Sequence, residues 1–378
     1  MKTYLKKYCI ETICLIIFFI YSLINMYKAP FLSSVYNSYF IKQNIWIIVS
    51  IFIAIIIYKI KFKFIFKYRY VLYFINILML IYVLLFSSTT NGIKAWVKIG
   101  SITFQPSEFT KITLPICIIK LIKDKKYIKS LILFLIPSIL ILLEPDTGNF
   151  ILLLFIYLYL LINKNNKKII LYLLAFLIIS FLLAIISFIY YPEIIASLFN
   201  GALYYRFKRI MSFRNNFQIN NALIGIGSAK LLPIPINRVL IYIPEGITDF
   251  IFAFNLCNYG IISSIILLTF ILIFINKIIK KYKRKMYYFK KKVIGSFLTI
   301  YIIQTLYNIL MNIGILPIMG IPLPFISYGG SSILTYTIFY IITNKKISSI
   351  EDMDNNSYKN NYHKVPADKH SFGYSMVR

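Results

Sequence analysis

The stretch Pro244-Glu245-Gly246-Ile247-Thr248-Asp249-Phe250-Ile251-Phe252-Ala253 places two acidic residues directly before a long apolar run. Its Pro-Glu-Gly triplet predicts a turn, and the run from about 247 to 276 predicts a membrane-spanning helix. The carboxylate of Asp249 is therefore expected at a membrane rim, where ionisable groups are costly and are candidates for function. The alternative is that Asp249 only caps the helix N-terminus, where free amide groups need acceptors.

The composition indicates an integral membrane protein. Of the 378 residues, 59% are hydrophobic and 14% are charged, so polar side chains are too few to cover a soluble globule of this size. The net charge of +30 comes mostly from short Lys and Arg runs between apolar segments. This distribution fits the positive-inside rule better than a basic face that binds nucleic acid, and no nucleic-acid partner is predicted.

Ten apolar segments have about the length that a bilayer requires, roughly 20 residues. The first has no small-residue cleavage site, so it is interpreted as a retained span. Together they predict an all-α, polytopic membrane protein with about ten transmembrane helices, at 9–27, 44–60, 70–88, 107–123, 129–144, 148–163, 168–190, 247–276, 291–316 and 325–345.

The loops predict the orientation of these spans. Lys and Arg are dense after the second, fourth, sixth and eighth spans, and are few in the short loops on the other side. Both termini are therefore expected in the cytoplasm. One large outer loop, at about 191–246, is long enough to suggest a function. Residues 1–346 are expected to form one membrane domain, and the polar residues 347–378 a disordered cytoplasmic tail.

The side chains available for catalysis are restricted. The four cysteines lie in apolar segments without metal-ligand spacing, and the only histidines, His363 and His370, lie in the tail. A zinc site, a Cys-His dyad and a Ser-His-Asp triad are therefore not expected in the membrane body. The chain also lacks a Gly-x4-Gly-Lys loop for nucleotide phosphates. Chemistry in this chain would use carboxylates, lysine and arginine.

Five of the twelve acidic residues map to the outer ends of predicted spans: Glu108, Glu144, Asp146, Glu245 and Asp249. A carboxylate that faced lipid at this depth would be costly. These groups are therefore expected to converge on a polar cavity that opens outward. The alternative is that they are five separate helix caps.

Two further stretches lie at the same rim by topology. In the first, Pro106 predicts a helix start, and Glu108 and Lys111 at i,i+3 place an acid and a base on one helix face. A buried ion pair that only joins spans is the alternative to a functional role. The second stretch, residues 320–332, is dense in Pro and Gly. Irregular backbone at membrane depth is tolerated only inside protein or beside a wet cavity.

Four spaced motifs resemble the SEDS family, whose members serve shape, elongation, division and sporulation. They are residues 92–111 with Trp96, the turn Pro145-Asp146-x-Gly148, the acidic stretch from Pro244 to Phe250, and the block 322–332. The resemblance implies a peptidoglycan glycosyltransferase of the bacterial cytoplasmic (inner) membrane that polymerises lipid II on the outer face, beside a class B penicillin-binding protein. Residues 320–324 are closer to the elongation type (RodA, cell shape); a division-type (FtsW) or sporulation-type (SpoVE) polymerase is the alternative.

The resemblance also implies roles for individual residues. Asp249 takes the position of the family's essential acid, and is expected to be catalytic as the general base on a sugar hydroxyl. The leaving pyrophosphate would be stabilised by Lys111 or Arg209. A divalent cation, magnesium or manganese, held by Asp249 and Glu108 is an alternative. The expected substrate-binding residues are Trp96, Glu108, Lys111, Arg209, Glu245 and Ser327.

Two other classes of function stay open. A lipid II carrier would need polar residues through the membrane depth, whereas here the acids gather at one rim. A non-catalytic scaffold for a penicillin-binding protein would tolerate loss of the acids. The scaffold is kept open because the chain departs from the family pattern at Ala95, Glu144, Gly246, Ile247, Cys257 and Asn258.

Overall fold

The computed structural model describes residues 2–88, 94–100, 102–162, 190, 216–235, 238–239 and 241–345. This part of the chain is almost entirely helical, as predicted. Its only strands form a short antiparallel hairpin of β1 (Val97–Ile99) and β2 (Ile102–Phe104). The helices are α1 (Lys2–Lys28), α2 (Tyr39–Lys59), α3 (Phe62–Lys67), α4 (Arg69–Phe86), α5 (Pro106–Lys123), α6 (Tyr127–Leu143), α7 (Thr147–Leu161), α8 (Phe217–Gly227), α9 (Ile251–Tyr282), α10 (Tyr288–Asn312) and α11 (Gly330–Asn344).

Nine of the ten predicted spans fall on helices that the structure describes. The remaining one, the seventh in chain order at 168–190, lies almost wholly outside the described residues. In the described part, five stretches are long and apolar enough to cross a membrane: Ile10–Phe31, Ser34–Lys59, Arg69–Phe86, Ile251–Tyr282 and Tyr288–Asn312. Helices α6 and α7 are apolar but shorter. Half of the predicted outer loop, 191–246, and all of the predicted tail also lie outside the described residues.

The last predicted span starts later than expected. The sequence predicts a start near 325, but α11 begins at Gly330. Pro322 and Pro324 cannot donate backbone hydrogen bonds to a helix, and Phe325 has a left-handed conformation, with φ of 65°. We call residues 320–329 the Pro/Gly block. It is irregular backbone, as its composition predicts.

An aromatic core anchors the Pro/Gly block in the bundle. Phe274 of α9 contacts Phe18 of α1 and Tyr301 of α10, with ring centroids 5.7 and 5.1 Å apart. Phe325 of the block contacts the same three rings, at centroid distances of 6.0 to 6.2 Å. All four rings are buried. Burial of large aromatic side chains is strongly stabilising, so the block is held by hydrophobic packing even though it is not helical.

Buried lysines close helix C-termini at the end of the bundle that is predicted to be cytoplasmic. The ammonium group of Lys292, on α10, donates at 2.8 to 3.3 Å to three carbonyl groups at the end of α7, those of Tyr159, Leu160 and Ile162. Lys345 donates in the same way to the end of α2. The last carbonyl groups of a helix lack helical partners and carry partial negative charge. Each ammonium group therefore donates hydrogen bonds to these carbonyl groups and balances their partial negative charge.

Helix α9 is interrupted at Gly260, where φ is 82° and ψ is 175°. This conformation is open to glycine and strained for other residues. The two amide groups after the break donate to the outer loop, Ile261 N to Lys230 O at 2.9 Å and Ile262 N to Leu231 O at 3.3 Å. The outer loop thus supplies the partners that the broken helix lacks. The break separates an outer half-helix, next to Asp249, from a longer inner half.

Candidate active site

Asp249 lies in the turn that precedes α9. Residues 244–250 form turns, and the helix begins at Ile251 with Phe250 at its N-cap position. The Asp249 side chain is partly exposed. A Cβ atom added to Gly320, in the Pro/Gly block, would lie 3.8 Å from Oδ2 of Asp249. The carboxylate therefore faces the block across a space that this glycine leaves open.

Two hydrogen bonds from the Pro/Gly block hold the backbone just before Asp249. The amide group of Tyr328 donates to Ile247 O at 2.8 Å. The hydroxyl group of Ser327 donates to Thr248 O at 2.6 Å. Two consecutive carbonyl groups of the acidic turn are thereby satisfied from a segment far away in the sequence. This arrangement limits the positions that the following carboxylate can take.

Helix α10 holds the carbonyl group of Asp249 itself. The side-chain amides of Asn308 and Asn312 donate to Asp249 O at 2.8 and 3.0 Å. The Asn308 amide also donates to Ile321 O at 2.8 Å, and Asn312 Oδ1 accepts from Ala253 N at 2.8 Å. The two asparagines therefore join the acidic turn, the Pro/Gly block and the first turn of α9.

Glu108 and Lys111 form a buried ion pair on α5. The distance from Lys111 Nζ to Glu108 Oε1 is 2.6 Å. Lys111 Nζ also donates to Gln304 Oε1 at 3.4 Å, and Gln304 Nε2 donates to Pro322 O at 2.7 Å. Tyr336 donates to the same Gln304 oxygen. The pair is thus linked through Gln304 of α10 to the Pro/Gly block.

Asp146 caps α7 and ties it to the start of α5. Its Oδ1 accepts from Asn149 N at 3.0 Å, and its Oδ2 accepts from Gln105 Nε2 at 2.7 Å. Position 148, in the first turn of α7, needs a glycine, because a Cβ atom at Gly148 would lie 2.5 Å from Met319 O. The predicted Pro145-Asp146-x-Gly148 turn therefore packs beside the Pro/Gly block.

The expectation that all five outer acids line an open cavity is wrong for three of them. Glu108, Asp146 and Glu144 are only 2%, 7% and 0% exposed, whereas Glu245 and Asp249 are partly exposed. The donors described above compensate the burial of Asp146 and of one Glu108 oxygen, whereas Glu108 Oε2 has no hydrogen-bond partner among the described residues. Both oxygens of Glu144 lack a hydrogen-bond partner among the described residues. Asp146 is thus a helix cap and Glu108 is part of a buried ion pair, which are the structural alternatives that the sequence left open.

The predicted substrate-binding residues fall into different environments. Trp96 lies directly before β1 and is partly exposed, as is Glu245. Lys111 and Ser327 are buried with Glu108, so in this conformation their contacts are with protein. Substrate contact by these three side chains stays a prediction. In this conformation Lys111 donates to Glu108 and Gln304, and Ser327 bonds to Thr248 and Leu323. Arg209 lies outside the described residues.

The residues present do not build the predicted metal site. One oxygen of Glu108 is taken by the ammonium group of Lys111. Within the described ranges, no three Asp, Glu, His or Cys side chains come together in a way that could hold a metal ion. We therefore derive no step through a metal ion.

Sequence reasoning missed the side chains that position the site. Gln304, Asn308 and Asn312 are spaced at i, i+4 and i+8 on α10 and are all buried. The signal was present, because amide side chains at this spacing share one face of an apolar helix. Polar groups inside a membrane protein are expensive unless they have partners. Such a stripe therefore indicates hydrogen bonding to irregular backbone.

Two non-glycine residues of the site have left-handed backbone. They are Glu245 in the acidic turn, with φ of 52°, and Phe325 in the Pro/Gly block, with φ of 65°. Such conformations cost about 1–3 kcal/mol each and concentrate at functional sites. The two facing segments thus carry strain that the surrounding hydrogen bonds and aromatic packing maintain.

The fold and the site define a class of protein: a polytopic helical membrane protein in which a Pro/Gly block holds a strained acidic turn. The family model FTSW_RODA_SPOVE, described as "Cell cycle protein", matches residues 5–349. The chain belongs to this family, the SEDS family that its motifs resemble.

Relatives and solved structures agree with this assignment. "Probable peptidoglycan glycosyltransferase FtsW" of Wigglesworthia glossinidia brevipalpis is 32% identical over 288 residues, which cover 69% of this chain and 71% of that protein. "Peptidoglycan glycosyltransferase MrdB" of Escherichia coli (strain K12) is 27% identical over 282 residues, which cover 70% and 73%.

Two solved structures share the fold. One is the Thermus thermophilus rod shape determining protein RodA, with a TM-score of 0.62 and 20% identity, over 88% of this chain and 94% of that chain. The other, described as "Structural coordination of polymerization and crosslinking by a peptidoglycan synthase complex", has a TM-score of 0.71 and 18% identity, over 88% and 95%.

Proposed function

We infer that this chain is a peptidoglycan glycosyltransferase that polymerises lipid II into glycan strands, with Asp249 as its catalytic residue. The observation that carries the proposal is the partly exposed carboxylate of Asp249, on a turn whose backbone is held from two other elements. Membership of the family and the names of the relatives support the same reaction class.

In the proposed reaction, a sugar hydroxyl of one lipid-linked saccharide attacks the anomeric carbon of another. A new glycosidic C–O bond forms, the bond from the anomeric carbon to the phosphate oxygen breaks, and the lipid pyrophosphate leaves with the electron pair. Asp249 accepts the hydroxyl proton as general base. Because the proton moves to a carboxylate rather than to water, the attacking oxygen gains nucleophilicity as the bond forms.

Preorganisation is the second contribution of this chain. Hydrogen bonds to three consecutive carbonyl groups, those of Ile247, Thr248 and Asp249, fix the turn before substrate arrives. Positioning of a catalytic group within a rigid frame avoids an entropic cost during reaction. Glu108 and Lys111 take a positioning role in this proposal, since they support Gln304 and, through it, the Pro/Gly block. Arg209 stays the predicted partner of the leaving pyrophosphate.

The proposed setting is the bacterial cytoplasmic membrane, with both termini in the cytoplasm and the acidic turn on the outer face. The distribution of Lys and Arg supports this orientation. A class B penicillin-binding protein is the proposed partner, supported by the structural similarity to a chain of a peptidoglycan synthase complex. The elongation role stays a prediction, because relatives named FtsW and MrdB both match.

The test compares Asp249→Asn with the parental chain in a glycan-strand assay with purified lipid II, with and without the penicillin-binding partner. Asp124→Asn is the matched control, because Asp124 is an exposed acid at the other end of α5. We expect at least a hundredfold loss of polymerisation for Asp249→Asn and parental activity for the control. Parental rates for a folded, partner-bound Asp249→Asn protein would refute the role of Asp249.

The same assay separates the rival classes. A carrier would move lipid II across vesicle membranes without making strands. A scaffold would make no strands but would raise strand synthesis or crosslinking by the partner, with or without Asp249. Strand synthesis by the parental chain with an inactivated partner would exclude both.

A further inference from the structure

Four tyrosines from three separate segments gather beside the acidic turn. We call Tyr36, Tyr39, Tyr242 and Tyr328 the tyrosine cluster. The rings of Tyr39 and Tyr328 stack, with centroids 4.1 Å apart and planes inclined by 22°. Tyr36 packs edge-on against Tyr39, with centroids 5.1 Å apart. Tyr242 lies close enough to Tyr36 for their hydroxyl groups to interact electrostatically.

Glu245 joins the tyrosine cluster to the site of Asp249. Its carboxylate interacts electrostatically with the hydroxyl groups of both Tyr36 and Tyr39. Its Oε2 accepts from Thr248 Oγ1 at 2.8 Å, directly before Asp249. The amide hydrogen bond from Tyr328 to the acidic turn, described above, fixes the other side. The cluster and Asp249 therefore belong to one continuous rim.

The tyrosine cluster differs from the tyrosines expected at a membrane interface. Interfacial tyrosines form belts that face the lipid headgroups. Tyr58, Tyr68 and Tyr82 fit that description, since each exposes about half of its surface. In contrast, Tyr36, Tyr39 and Tyr328 are partly buried and pack against one another, while Tyr242 at their edge is half exposed. Mutual stacking around an acid indicates a built surface.

The chemistry of this surface fits a hydroxylated ligand. Aromatic rings offer flat apolar faces, and phenol and carboxylate groups offer hydrogen-bond partners at the ring edges. Pyranose rings are complementary, because they carry apolar C–H faces and equatorial hydroxyl groups.

We propose that the tyrosine cluster, with Glu245, binds the sugar rings of the glycan strand next to Asp249. The proposal rests on the proposed function for the identity of the glycan, and extends it by placing a saccharide subsite on residues outside the catalytic acid. Stacking on Tyr328 and Tyr242 would hold successive sugars, while Glu245 accepts hydrogen bonds from their hydroxyl or amide groups. Such a subsite would keep the strand in place between additions.

The first experiment measures binding without catalysis. The probe is chitotetraose, a β-1,4-linked N-acetylglucosamine tetramer, and binding to the full-length chain in detergent is followed by saturation-transfer NMR. We expect Tyr328→Leu and Tyr242→Leu each to weaken binding about tenfold, because a stacking face is lost. Tyr328→Phe keeps the ring and should bind within about threefold of the parental chain. Tyr58→Leu, at the other end of α2, is the control and should bind normally.

Retained binding in both Leu variants overturns the proposal, and so does failure of the folded parental chain to bind the probe. Equal loss in Tyr58→Leu would show a general effect of interfacial tyrosines and would also overturn it. Thermal unfolding of every variant shows whether the fold is intact, and Tyr328→Phe separates loss of the ring from loss of the hydroxyl group.

A lipid II assay distinguishes this proposal from the proposed function. If the parental chain makes strands, the Leu variants should make shorter ones at a similar rate of initiation. Strands of parental length from both Leu variants would contradict the subsite. If the parental chain binds chitotetraose but makes no strands, the proposed polymerase activity fails while the saccharide site stands.

Discussion

Ser327 Oγ donates to Thr248 O at 2.6 Å, which joins two segments that are 79 residues apart in the chain. The same oxygen accepts from Leu323 N at 2.8 Å. One hydroxyl group thus closes a turn in the Pro/Gly block and holds the acidic turn beside it. A side chain with a donor and an acceptor is required at this position.

Replacement of Ser327 by Ala should disturb both segments. The buried groups Thr248 O and Leu323 N would lose their partner, which costs about 1–3 kcal/mol. We expect a lower apparent melting temperature in detergent and a loss of strand synthesis. Ser38→Ala is the control, because Ser38 is exposed and its side chain makes no capping hydrogen bond. Parental stability and activity for Ser327→Ala would show that the hydroxyl group is dispensable.

Lys111→Met should be more damaging than removal of the whole ion pair. The single change leaves the buried Glu108 carboxylate without its counter-charge, at a cost of about 3–5 kcal/mol. The double variant Glu108→Gln/Lys111→Met removes both charges and should recover part of that stability. The measurement is a double-mutant cycle on thermal unfolding. Additive effects of the two changes would contradict a coupled pair.

Gly260→Ala should destabilise the outer half of α9. Its left-handed φ would cost about 1–3 kcal/mol for a residue with a side chain. In addition, the new Cβ atom would lie 2.7 Å from Leu231 O in the outer loop. We expect faster hydrogen exchange in residues 251–259 and reduced strand synthesis. Gly227→Ala is the control, since no heavy atom lies within 4 Å of its added Cβ. Unchanged hydrogen exchange in Gly260→Ala would show that α9 is not interrupted at this position.

Lys292→Met should destabilise the junction of α7 and α10 without touching the candidate site. Three carbonyl groups at the end of α7 would lose their donor, and a loss of about 1–3 kcal/mol is expected. The apparent melting temperature should fall, while the specific activity of the folded fraction stays parental. The neighbouring Lys291 is exposed, so Lys291→Met should have little effect. A similar loss in both variants would point to general charge effects.

Most of the helices could be predicted because membrane insertion imposes a simple rule on sequence. The segment predicted at 107–123 is observed at Pro106–Lys123, and the one at 129–144 is observed at Tyr127–Leu143. The interruption of α9 could not be predicted. Gly260 lies inside a continuous apolar run, and a break there is stable only because the amide groups of Ile261 and Ile262 donate to carbonyl groups of the outer loop.

The site was predicted in part. Its motifs identified Asp249, Glu108 and Lys111 as neighbours of a Pro/Gly block, and the structure places all of them around that block. Their burial could not be predicted, because it depends on partners that lie on other helices. Gln304, for example, contacts both Lys111 and Pro322 only because α5, α10 and the block converge.

By itself, the sequence determined a multi-pass helical membrane protein and the motifs of its family, because hydrophobic length and local turn chemistry are written residue by residue. Only the tertiary structure decided which acids remain accessible. Burial and hydrogen-bond satisfaction are properties of packed helices. Glu108 and Asp146 are therefore buried groups that hold the structure together, whereas Glu245 and Asp249 lie at the rim beside the tyrosine cluster.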